Sequence, residues 1–99
     1  MKISEGALNF IKEQAAQYKE PVVVMFQRTY RGWCGESTVN SVEVADKAQI
    51  REESRFIIKK FDGSDYTVYV DKNLEGLWNR AKVDIAGWSS FQRLVLVQD

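Results

Sequence analysis

Chemistry concentrates in one stretch of this sequence, Arg28-Thr29-Tyr30-Arg31-Gly32-Trp33-Cys34-Gly35-Glu36-Ser37. It holds the only cysteine, a glycine on either side of it, two arginines before it, and a carboxylate and hydroxyl after it. A thiol near Arg28 and Arg31 has the setting of a thiolate, because neighbouring positive charge favours the ionised sulfur. Such a sulfur is a nucleophile or a soft metal ligand, and Cys34 is the one candidate metal ligand of that kind. The same residue also reads as a small apolar side chain packed out of reach. Gly32 and Gly35 either let successive amides form an anion-binding concavity under Arg31 or serve a turn that needs positive φ. Glu36 and Ser37 are oxygen donors for a cation or proton relay, or a solvated edge where Glu36 pairs with Arg31 for little stability.

Three tryptophans need a place. Trp78 stands at helical spacing from Leu74 and reads as core. Trp33 and Trp88 fall in loops, where a large ring has no core to enter, so both are candidates for a contact surface. The candidate binding set is therefore Arg31, Gly32, Trp33, Gly35, Glu36 and Trp88. The chain has no histidine, which removes the commonest general base and the commonest metal ligand. With no base for Cys34 and no second thiol to resolve a disulfide, a binding or carrier protein is expected rather than an enzyme.

The elements that must position these residues can be read in order. Ser4 caps a helix from Glu5 to about Gln17, with Leu8, Ile11, Ala15 and Tyr18 as its apolar stripe and Ile3 and Leu8 at the staple positions. Pro21 ends it. Val22–Phe26 is a continuous apolar run, predicted as a strand covered on both faces, and the Cys34 loop follows. Thr38–Val44 alternates as a second strand, and 45–53 is polar without period, a mobile loop or frayed turn. Two further strands, Arg55–Phe61 and Tyr66–Val70, flank Asp62-Gly63, a strong hairpin signal. Asp71 caps a short helix through Trp78. Lys82–Ala86 is a strand in which Asp84 points outward, and Phe91–Val97 is the last strand after a turn at 87–90. This order predicts one α+β domain over residues 1–99, dominated by strands.

Composition sets the outer bounds. The 99 residues suit a single core, and 44% hydrophobic with 28% charged residues is ordinary for a folded chain. Fourteen basic and fourteen acidic side chains balance, so neither nucleic acid nor an anionic membrane is an expected partner. A single cysteine favours a reducing compartment, and Met1–Gly6 lacks the apolar run of a signal peptide. A cytoplasmic location is expected.

The opening Ile3-Ser4-Glu5-Gly6-Ala7-Leu8 and the cysteine in a glycine-containing loop after the first strand resemble HesB-like proteins, the A-type carriers of iron–sulfur cluster assembly. Thr67-Val68-Tyr69-Val70-Asp71, the short helix, Lys82-Val83-Asp84-Ile85 and the final hairpin through Arg93-Leu94-Val95-Leu96-Val97 are similar to that family's second half. Small HesB-related proteins with paired cysteines, or a cysteine and a selenocysteine, in the loop are closer still. The resemblance implies a fold of one N-terminal helix, mixed and antiparallel sheets packed as a sandwich, and one short second helix. It also implies iron or an iron–sulfur cluster held by the loop cysteine with two cysteines near the C-terminus. Here only Cys34 matches, and Trp33 occupies the position that would pair with it. Clusters ordinarily take about four thiolates, so a carrier role requires a homodimer sharing Cys34 and ligands from outside. The other reading is a cluster-free ligand- or protein-binding domain that keeps the fold and uses 28–37 as its contact surface.

Overall fold

A computed structural model describes residues 1–98. It is strand-dominated α+β: β1 (Lys2–Ile3), α1 (Glu5–Ala15), β2 (Pro21–Gly32), β3 (Gly35–Asp46), β4 (Phe56–Lys60), β5 (Thr67–Asp71), β6 (Ala81–Ala86) and β7 (Arg93–Gln98). The second helix is a short 3-10 segment, Lys72–Leu77. Two mixed sheets form. One has the order β3-β2-β5-β4 and the other β1-β6-β7, with β2 parallel to β5 and β1 parallel to β6.

The helix begins where Ser4 accepts the amide of Ala7 at 3.1 Å, satisfying one of the orphan donors of its first turn. Its buried face is Ala7, Ile11 and Ala15, with Phe10 against the same core. Ile11 and Ala15 are buried as expected, whereas Leu8 and Tyr18 are only partly buried and Ala7 takes the inner place in the first turn; the helix stops two residues earlier than expected. Ala7 and Ile11 join Val23, Met25, Val42, Val68 and Val70 of the larger sheet and Val83 and Leu94 of the smaller one. Phe61 stacks on Trp78 at 5.9 Å in the same core, so Trp78 packs as its spacing predicted.

The opposite face of β2 is also covered. Val22, Val24 and Tyr69 are buried there, with Phe26, Ala45, Ile50 and Phe56 packed on them. Ile50 comes from the 45–53 segment, which ends β3, makes one capped helical turn and continues through 50–52 without regular structure. Asp46 caps a 3-10 turn in a complete capping box with Gln49, and a second such turn spans Glu53–Arg55. The hairpin at Asp62-Gly63 joins β4 to β5 as predicted. Asp71, almost fully buried, accepts the Asn73 amide at 2.9 Å and an Arg55 guanidinium N–H at 3.2 Å.

Asp84 lies on the less buried side of β6, alternating with buried Val83 as expected, and there it has partners that the sequence did not indicate. Its carboxylate accepts the Ser4 hydroxyl and the Ile85 amide, each at 2.8 Å, tying the start of α1 to β6. The Ile85 amide first, then the Ser4 hydroxyl, hold its carboxyl below the usual carboxylate range against an opposing effect of desolvation, with the positive charge of Lys82 the smallest contribution. A depressed folded-state pKa contributes stability above the ordinary carboxylate value and loses it as pH falls through the lowered one. Asp84→Asn is therefore expected to lower the melting temperature at neutral pH, with the gap to wild type narrowing on acidification. Melting curves taken from pH 7 to pH 2 test this, and a gap independent of pH would contradict it.

Candidate functional site

The stretch expected to be a loop is mostly strand. β2 and β3 pair antiparallel in unbroken register over twelve positions, from Pro21 with Asp46 to Gly32 with Gly35. Only Trp33 and Cys34 are left to turn the chain. Neither has positive φ; that conformation falls on Gly35, at +108°, as where a tight turn is closed by a glycine just past it. Glycine is thus needed at 35 for backbone geometry.

Support ends well before this turn. β5 pairs with β2 only at Val23–Met25, and residues 27–39 are exposed throughout. What projects is a two-stranded arm, wet on both faces. Its root is held by Arg28, whose guanidinium pairs with Glu43 at 2.7 Å and lies 4.9 Å from the Phe26 ring centroid. Towards the tip, Arg31 pairs with Glu36 at 2.7 Å, both side chains exposed.

The tip brings together Arg31, Gly32, Trp33, Cys34, Gly35 and Glu36 around a shallow concavity of about 340 Å³ that also touches Tyr30 and Ser37. Trp33 is fully exposed, Tyr30 is half exposed, and Cys34 is a free, exposed thiol. The reading of Cys34 as a buried apolar residue is thereby corrected: no layer lies over the arm to bury it. Arg31 is committed to Glu36, so the tip presents a neutral pair rather than a free cation. An exposed pair of this kind contributes on the order of 0–1 kcal/mol. Arg31→Ala should accordingly shift the urea midpoint negligibly, and a loss above about 1 kcal/mol would show that the pair holds the arm together.

Trp88 is not part of this cluster. It sits in the turn between β6 and β7, 78% exposed, beside a 3-10 turn over Ser89–Phe91. The sequence reading missed its companion Phe91, which was assigned to the last strand but lies in this turn, 75% exposed. Gly87 and Ser89, both with positive φ, keep the chain out of strand geometry until Arg93. Three residues after Trp88 with a glycine before it, Phe91 could have been recognised as a turn aromatic.

As a metal centre the tip supplies one cysteine sulfur and one carboxylate already paired with Arg31. Among the described residues no three Cys, His, Asp or Glu side chains converge. This donor set does not fit an iron–sulfur cluster within one chain, which ordinarily takes about four thiolates. Also among the described residues, no helix is long and apolar enough to cross a membrane. Neither a protein-family model nor a curated protein matches this sequence.

Proposed function

We propose that this chain is a divergent HesB-like domain that acts as a protein-contact module, with the β2–β3 arm as the contacting element. The single observation that carries the reading is the run of residues 27–39, exposed on both faces of a regular ribbon and ending in a fully solvated tryptophan. A two-stranded ribbon with no layer against it is marginal in water. An exposed tryptophan flanked by tyrosine and arginine is the composition from which interface anchors are drawn. The arrangement of one N-terminal helix, two mixed sheets and a short second helix supports the family part of the reading.

Site-specific photocrosslinking in cells tests it. A photoreactive side chain at position 33 is expected to give discrete protein adducts, whereas the same group at Glu13, on the wet face of α1, is expected to give none. Equal labelling from the two positions would overturn the reading.

A second reading rests on Cys34, exposed at the outermost turn, where thiols of two copies can meet. In it the protein handles iron or a cluster, the two Cys34 sulfurs being joined by outside thiols such as glutathione. Anaerobic purification, with iron and sulfide measured for wild type and Cys34→Ser, tests this reading. Iron that is lost with the serine supports it, and no iron in either protein after reconstitution removes it.

A further inference from the structure

We infer that the arm's partner is a second copy of this chain, joined by antiparallel pairing of the two β3 edges around Thr38. The inference rests on the contact-module reading and gives it an occupant.

β3 lies at the end of its sheet. Among the described residues no backbone hydrogen bond outside the β2 ladder reaches positions 35–46. Its outward N–H and C=O groups are therefore a template for another strand. Proteins usually blunt such edges by making them short, placing lysine or proline on them, or introducing a bulge. Two of the other three edges follow that rule: β1 has two residues, and β4 has five and carries Lys59 and Lys60; the third, β7, has six and neither lysine nor proline. β3 has twelve residues, no lysine or proline, and an unbulged register.

The free part of that edge is short and self-complementary. Gln92–Leu94 lie beside Val42–Val44 around one hollow and Arg93–Leu96 beside Val39–Glu43 around another, so β7 borders the root from Val39 inward and leaves 35–38 clear of it. Antiparallel pairing centred on Thr38, the inner end of that stretch, places Thr38 against Thr38, Ser37 against Val39 and Glu36 against Asn40. Thr–Thr pairs are favourable cross-strand neighbours, and no like charges face each other. Glu36 and Glu43 are neutralised within their own copy by Arg31 and Arg28. Zero formal net charge leaves no long-range repulsion between copies.

The same register gives Trp33 a destination. It arrives opposite Glu43 of the other copy, at the mouth of the hollow of about 210 Å³ lined by Phe10, Val42, Val44 and Leu94 with Arg93 at its rim. Each copy thus contributes the aromatic group that fills the other's hollow, as an isologous two-fold contact requires. The two Cys34 residues are then eight strand positions apart, about 27 Å at roughly 3.4 Å per residue. This dimer therefore cannot share a metal between its cysteines.

Cys34 is the only cysteine and is exposed, so the wild-type chain takes one spin label per copy without further substitution. Dipolar spectroscopy is expected to give a single separation of about 27 Å, widened by the label linkers. In a second arm, Thr38→Lys and Thr38→Glu, both at an exposed position, are expected to be monomeric alone and to dimerise when mixed. Trp33→Ala is expected to weaken association about tenfold or more. Labels in close contact would overturn the inference by showing that the tips meet. A monomer at all concentrations would overturn it while leaving crosslinks from position 33 to a different protein as support for the contact module. Persistence of the dimer in both Thr38 variants would overturn it as well.

Discussion

Trp78→Ala is expected to lower stability by about 3–5 kcal/mol, the range for removing a large aromatic side chain from a packed core. Trp78 stacks on Phe61 with planes 13° apart, and Lys59 extends its ammonium to 5.6 Å from the ring. Alanine would leave a cavity beside Phe61 in the main core. For a domain of this size the loss corresponds to a fall in melting temperature of more than about 12 °C. Thermal unfolding followed by circular dichroism reads it directly. A fall of only a few degrees would mean that Trp78 rests on the core rather than completing it.

The second large effect is expected at Gly87. Its φ is +87°, and a Cβ added there would stand 2.3 Å from the Phe91 carbonyl oxygen and 3.1 Å from its carbon. Backbone rather than a flexible side chain is in the way, so the turn must open to admit a methyl group. Gly87→Ala should cost about 2–3 kcal/mol through strain and lost turn geometry. It should also alter the fluorescence of Trp88, which sits next to it. Urea unfolding gives the first quantity and emission spectra of the folded variant the second. An unchanged urea midpoint would show that the turn yields without penalty.

How far the sequence revealed these features depends on whether the relevant contrast was local. Ser4, Asp71 and Asp62-Gly63 act through neighbours two or three residues away, so the cap positions and the β4–β5 hairpin were readable. The unbroken apolar run Val22–Met25 correctly indicated a strand covered on both faces. Most of the arm was not readable for the same physical reason in reverse. Alternation reveals a strand when one face is dry, and both faces of residues 27–39 are wet, so Arg28–Ser37 reads as a loop.

The turn itself carries no Asn-Gly or Asp-Gly signal, because the positive φ falls one residue later, on Gly35. The outward position of Asp84 was readable from alternation, but its hydroxyl partner, Ser4, is eighty positions away and was not. Within the candidate site, the residues from Arg31 to Glu36 do share one surface. Trp88 stands apart from them because the β6–β7 turn belongs to the other sheet.

The proposed contact module requires an arm that lacks support of its own until a partner covers it. Amide hydrogen exchange on dilute protein tests this most directly, since it compares arm and root within one molecule. The account predicts that the ladder amides of Val22–Met25 and Val68–Val70 exchange only through openings close to global unfolding, about 5–15 kcal/mol for a domain of this kind. Those of Arg28–Gly32 and Gly35–Val39 are predicted to exchange through local openings of roughly 0–2 kcal/mol and to slow when the contact forms. An arm as protected as the root in dilute solution would contradict the account, because the ribbon would then be stable with nothing against it.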